Sequence, residues 1–209
     1  MLMNKNSGLS PKEHKNLYII SGCNGVGKTT ASLTILPEIL NCKEFLNAEE
    51  IAQNLQGLES GQANFNSGRI MIGKMNGLLK ENVSFAVETT LASRCYKSKI
   101  IEARTKGYNV ILLFFWLQSI ELAKERVRIR IKEGGHIVEP EIIERRYKGG
   151  IKNLFSIYLS TADTVLIFDN SEGIYDLIAE KIDNDDIHIL NEKKFNNLKN
   201  YYNDIKRQT

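Results

Sequence analysis

Leu17-Tyr18-Ile19-Ile20-Ser21-Gly22-Cys23-Asn24-Gly25-Val26-Gly27-Lys28-Thr29-Thr30 is the stretch that decides the fold of this chain. An apolar, β-prone run from Leu17 to Ile20 passes straight into glycine-rich residues, and those after Gly27, as far as Leu36, suit a helix. Strand, glycine loop and helix in that order are the setting of a phosphate-binding loop, and Gly22-x-x-x-x-Gly27-Lys28-Thr29 has its spacing. Glycines let successive backbone N–H groups turn inward around phosphate oxygens, and the helix N-terminus adds partial positive charge. Lys28 is expected to reach the terminal phosphates, and Thr29 to offer its hydroxyl to Mg²⁺. The set expected to bind ATP and Mg²⁺ is Gly22, Asn24, Gly25, Gly27, Lys28, Thr29 and Thr30, with Thr29 as the metal residue.

Outward from the loop, helix and strand keep alternating. Glu44 to Asn47 reads as a second strand, and a helix carrying Ile70, Ile72, Met75, Leu78 and Leu79 leads to a third, Ser84 to Glu88. Lys97 to Lys106 suits a helix, Tyr108 to Leu117 a long buried strand, and Ile120 to Lys132 a helix rich in good helix formers. Pro140 can open a further helix at its first position, before a strand from Asp163 to Asp169. This order predicts an α/β fold of the P-loop NTPase kind: three layers, α/β/α, around a mostly parallel five-stranded sheet, of small-kinase type with a helical lid. Residues 1–16 read as a polar leader, 17–171 as the P-loop kinase domain with its lid around 126–148, and 172–209 as an extension of a strand pair and a polar helix.

Composition narrows the function classes. The chain has 209 residues, of which 42% are hydrophobic and 25% charged, the range of a globular domain rather than of a fibrous or disordered protein. Its longest apolar run, Val110 to Leu117, is far short of a membrane span, and the leader lacks the apolar centre of a signal peptide, so a cytoplasmic location is expected. Three cysteines without metal-ligand spacing read as free thiols. A net charge of +3 does not announce a nucleic-acid binder, so no polynucleotide partner is expected.

Two acids fall at strand ends on the edge where the loop lies. Glu49 follows the second strand and Glu88 ends the third; a carboxylate there can take the proton of an attacking hydroxyl, and a second can position the acceptor. Asp169 reads either as a water-mediated Mg²⁺ ligand or as part of an Asp-Asn-Ser turn. Arg126 and Arg130 share a helix face and, with His136, Arg145 and Arg146, flank a Gly134-Gly135 break that reads as the flexible part of a lid. Glu141 and Arg145, and likewise Glu144 and Lys148, stand at ion-pair spacing, which accounts for part of this basic cluster.

The chain resembles the zeta toxin family of small P-loop kinases from about Leu17 to Ser171. Beside the glycine loop, the resemblance is carried by Phe45-Leu46-Asn47-Ala48-Glu49-Glu50-Ile51-Ala52, Phe85-Ala86-Val87-Glu88-Thr89-Thr90-Leu91, Gly134-Gly135-His136, Arg145-Arg146-Tyr147 and Asp169-Asn170-Ser171. It implies a kinase using ATP and Mg²⁺ on a small molecule, the best-known acceptor being the 3′-hydroxyl of UDP-N-acetylglucosamine, and a possible antitoxin protein as partner. Glu49 stands where the family has an aspartate base, one methylene shorter. Glu88, Thr89, Thr90 and Arg94 fall near its sugar-nucleotide contacts, and Arg126, Arg130, His136, Arg145 and Arg146 are the lid cations. The resulting expectation is an ATP-dependent phosphotransferase with Lys28, Glu49, Arg126 and Arg130 as catalytic residues. A nucleotide-gated ATPase or switch without an acceptor, and a nucleic-acid end kinase, are the rival readings.

Overall fold

A computed structural model of the protein describes residues 15–35, 42–53, 60–183 and 185–208, leaving aside the side chains at 33–35, 49, 52–53 and 60–65. Most of the polar leader, Leu36 at the end of the expected first helix, and Asn184 lie outside the described residues.

Apolar runs with little alternation form the middle of the sheet. β1 (Asn16–Gly22), β3 (Phe85–Thr89) and β4 (Asn109–Trp116) are buried almost throughout, as strands covered on both faces must be. β2 (Glu44–Asn47) lies at one edge, and β5 (Thr164–Asp169) follows β4 on the other side. These strands are parallel, each joined to the next through helical crossovers. The sheet has seven strands, in the order β2-β3-β1-β4-β5-β6-β7, rather than the five expected. The additional pair, β6 (Asp176–Lys181) and β7 (His188–Ile189), continues the same sheet in antiparallel fashion. The connection from β5 to β6 is a short turn with no crossover helix, so the chain can return only antiparallel.

The helices are α1 (Lys28–Ile35), α2 (Ala48–Gln53), α3 (Ser60–Glu81), α4 (Tyr96–Thr105), α5 (Ile120–Lys132), α6 (Pro140–Asn153), α7 (Leu159–Thr161) and α8 (Glu192–Arg207). α6 runs through a π-helical turn, Leu154–Tyr158, into α7. Local chemistry sets several starts: Ser119 and Asn191 accept the backbone N–H groups of Leu122 and Lys194, and Pro140 occupies the first turn of α6. α3 buries Met71, Met75, Leu78 and Leu79, an i, i+4, i+7, i+8 set, whereas Ile70 is 37% exposed. None of the helices among the described residues is long and apolar enough to cross a membrane.

The end of α5 differs from the flexible break read in the sequence. Gly134 N–H donates to the Ile131 carbonyl and Gly135 N–H to the Arg130 carbonyl, with Gly134 at φ +88°, which is a Schellman stop. Gly134-Gly135 therefore terminates a helix by hydrogen bonding. α5 and α6 are then tied together by Glu144, which pairs with Lys124 of α5 at 3.1 Å and with Lys148 at 2.7 Å. Lys148 first, then Lys124, holds the Glu144 carboxyl below its ordinary pKa. Beneath them Tyr147 accepts from Trp116 Nε1 at 3.0 Å and donates to the Leu117 carbonyl at 2.6 Å, which fixes α6 to the end of β4.

α8 reads as polar but carries an aromatic face. Phe195 and Leu198 are buried, Tyr201 meets Trp116 and Tyr147 edge-on, and Tyr202 stacks on Phe155. The C-terminal helix is thereby packed into the core of the sheet and of α6.

Candidate active site

The glycine loop, Gly22 to Gly27, leaves the carboxyl end of β1 at the centre of the sheet. Gly22 is required sterically: at φ +140°, a Cβ there would lie 2.2 Å from the Phe115 carbonyl oxygen of the neighbouring strand. Behind the loop, Asn170 Nδ2 donates to the Val26 carbonyl at 2.8 Å and the Tyr175 hydroxyl to the Gly27 carbonyl at 2.9 Å. Arg126 donates to the Ser171 carbonyl at 2.9 Å from α5. Neither Asn170 nor Tyr175 stood out as a site residue in the sequence, because nothing local marks a hydrogen bond to a loop so far upstream.

Lys28 is 6% exposed, and its ammonium group donates to the Cys23 carbonyl at 3.0 Å, so the side chain curls over the loop rather than into solvent. The neighbouring Cys23 thiol is pushed up to about 12 by burial, with Lys28 only partly offsetting it. Its thiolate population at pH 8 is then roughly 10³-fold below that of an ordinary thiol. Iodoacetamide at pH 8 should accordingly modify the exposed Cys95 while sparing Cys23 until the protein is unfolded. Peptide mass spectrometry checks this, and alkylation of Cys23 at the pace of Cys95 would refute it.

Glu88 is the penultimate residue of β3, one before the strand's end at Thr89, beside β1 and opposite Ile20, and is 3% exposed. The Thr29 hydroxyl lies 3.4 Å from each of its carboxylate oxygens. The loop after Glu88 is held from several sides. Thr89 Oγ1 accepts the Leu91 N–H at 3.2 Å and is bonded to the Tyr96 phenol, which burial pushes up to about 12. Asn153 donates to the Leu91 carbonyl at 2.9 Å, and Tyr158 donates to the Ser93 carbonyl at 2.7 Å. α6 approaches so closely that a Cβ on Gly150 would sit 2.7 Å from the Thr90 carbonyl oxygen. The π-helical turn after Asn153 sets Tyr158 against this loop, which makes one unit of the Thr89–Ser93 segment and α6.

A cleft of about 880 Å³ opens between these parts. It brings together Lys28, Glu88, Thr89 and Thr90 with His136, Arg145 and Arg146. Arg146 donates to Asn24 Oδ1 at 3.2 Å, so the lid helix touches the phosphate loop itself. A third wall comes from α3, with Ser67, Arg69 and Asn76, in a segment whose glycine- and asparagine-rich sequence gave no sign of a site. Arg94, Arg126 and Arg130 are not among the lining residues. Arg130 instead bonds the His136 carbonyl at 3.4 Å and packs against Gly135. Glu49 is the second residue of α2, behind the cleft-lining Asn47 and Ala48; its side chain lies outside the described residues.

Asp169 adopts the turn reading. One carboxylate oxygen accepts from the backbone and hydroxyl of Ser171, and the other pairs with Lys194 at 3.1 Å. Among the described residues, no group of three or more His, Cys, Asp or Glu side chains is placed to hold a metal ion.

Fold and site together define a P-loop α/β protein of the small-kinase type. The chain belongs to the zeta toxin family, whose profile matches residues 2–181. A protein of Haemophilus influenzae is 25% identical over 126 residues, covering 60% of this chain and 88% of the relative. The fold is similar to a chain of the PezAT chromosomal toxin–antitoxin system of Streptococcus pneumoniae, with a TM-score of 0.61, 15% identity, and coverage of 96% of this chain and 91% of that one. It is also similar to a chain of the AvrRxo1-ORF1:-ORF2 structure with ATP, with a TM-score of 0.64 and 15% identity. That match covers 88% of this chain but only 63% of the other.

Proposed function

We propose that the protein is a kinase that transfers the γ-phosphoryl group of ATP to a hydroxyl of a small anionic acceptor, a nucleotide sugar such as UDP-N-acetylglucosamine. The observation that carries this reading is the cleft that Lys28, Glu88, Arg145 and Arg146 line together. The residues fit the nucleotide: a glycine loop with a buried ammonium group folded over it is a donor set for phosphate oxygens. Thr29 beside Glu88 supplies hard oxygen ligands, which suit Mg²⁺ together with nucleotide oxygens and water. Magnesium, when bound, neutralises charge on the transferring phosphoryl group.

The chain's own residues then divide the work. Lys28 and the loop N–H groups hold the β- and γ-phosphates, and Glu49 takes the proton of the acceptor hydroxyl. Glu88, Thr89 and Thr90 orient the acceptor, with Arg94 next along the chain to the cleft-lining Ser93. Arg145, Arg146 and His136 neutralise the developing charge, while Arg126 steadies the loop from behind and Arg130 holds the lid connection. The likeness to PezAT, described as a toxin–antitoxin system, supports an antitoxin as the restraining partner. The ATP requirement supports a cytoplasmic location.

The test is incubation with γ-labelled ATP, Mg²⁺ and a panel of nucleotide sugars, followed by separation of the labelled products. Label should appear on one acceptor. Bound ATP with no acceptor labelled, or phosphate release stimulated only by a protein, would overturn the kinase reading.

A further inference from the structure

α8 lies beyond the matched residues 2–181, yet it is wired into the nucleotide loop. Lys194 in its first turn places its ammonium group 3.1 Å from Asp169 and 2.9 Å from Asp176. These two carboxylates raise the lysine's pKa well above its ordinary value. Asp169 is 4% exposed, so Lys194 is the ion-pair partner of a buried carboxylate at the end of β5.

From Asp169 the connections run toward the phosphate loop. Its other oxygen holds the Ser171 N–H at 2.9 Å and the Ser171 hydroxyl, and Ser171 Oγ in turn accepts the Gln118 N–H at 2.9 Å. The Ser171 carbonyl accepts from the guanidinium of Arg126, a residue whose Cβ lies against Gly25 of the loop. Asn170, between the two ends of this turn, is 5% exposed and holds the Val26 carbonyl. The backbone of the 169–171 turn is thus fixed by the Asp169 carboxylate, and two of its hydrogen bonds reach the loop or the helix beside it.

We propose that Lys194 is a positioning residue for nucleotide binding: through Asp169 and the 169–171 turn, the C-terminal helix sets the geometry of the phosphate loop. The proposal rests on the nucleotide-binding reading above. Without the lysine, the buried Asp169 carboxylate loses its ion-pair partner and turns toward water, which releases Ser171 and with it the supports of Val26 and Arg126. Lys194 does not line the cleft, so its effect passes through the two carboxylates it pairs with, Asp169 in that turn and Asp176 beside the loop-bracing Tyr175.

The experiment is a fluorescence titration of full-length protein with a fluorescent ATP analogue, in parallel with thermal melting without nucleotide. Lys194→Met should weaken binding about fivefold or more, and Lys194→Arg, which keeps the charge, should restore most of it. Unchanged affinity in Lys194→Met, even with a lowered Tm, would reduce Lys194 to a merely structural role and overturn the proposal. Should Lys194→Met not fold, Ser171→Ala interrupts the same chain one link later and is read in the same two ways. Failure of the wild-type protein to bind the analogue would instead overturn the nucleotide reading itself.

Discussion

Lys28→Met should lower phosphoryl transfer about 10³-fold while leaving the protein folded. The side chain is buried, and its amine donates to the Cys23 carbonyl, so methionine fills nearly the same space and forfeits a single hydrogen bond. What it cannot supply is the positive charge at the terminal phosphates, whose negative charge redistributes during transfer. Rates with γ-labelled ATP, together with thermal melting, separate the two effects. A variant that keeps more than a tenth of wild-type activity at an unchanged Tm would mean that the loop lysine is not the phosphate-binding cation.

Glu49→Gln should leave nucleotide affinity within about twofold and lower turnover by about 10² to 10⁴, the range for removal of a general base. Glutamine keeps the length and one hydrogen-bonding oxygen of the side chain but cannot accept the proton of the acceptor hydroxyl. Glu49 sits in the first turn of a helix capped by Asn47, whose side chain accepts the Glu50 N–H at 3.4 Å, so the backbone that carries it is anchored. Glu88→Gln is the comparison. Glu88 is buried against Thr29, and its loss should raise the acceptor KM as well as lower kcat. Equal turnover of Glu49→Gln and wild type would transfer the base role to another group, with Glu88 next in line.

Much of the fold is legible from residue order. The strand, glycine loop and helix at its centre are local patterns, and the buried strands β1, β3 and β4 read as unbroken apolar runs because both their faces are covered. β6 and β7 were legible as strands but not as members of the main sheet, since pairing partners are chosen across the fold. In α3 the same limit appears at the scale of one residue: Ile70 and Met71 are equally apolar, and only the packing direction of the helix buries the second.

The site divides in a similar way. Lys28, Glu88, Thr89, Thr90, His136, Arg145 and Arg146 were legible because each stands in a motif or at a strand end, and they meet in one cleft. Arg126 and Arg130 were legible as a basic helix face, but helix spacing says which residues share a face and not what the face meets; they meet the Ser171 carbonyl and the lid connection. The glycine pair after α5 shows the converse, because the same two residues that permit flexibility also supply a hydrogen-bonded helix stop.

Sequence by itself determined the phosphate loop, the parallel sheet and the family, since these depend on spacing and on periods within one segment. Tertiary structure alone decided that Asp169 pairs with Lys194, that Asn170 and Tyr175 brace the loop, and that α3 walls the cleft. Those contacts join residues far apart along the chain, and their energies depend on distances and desolvation that exist only once the helices have packed.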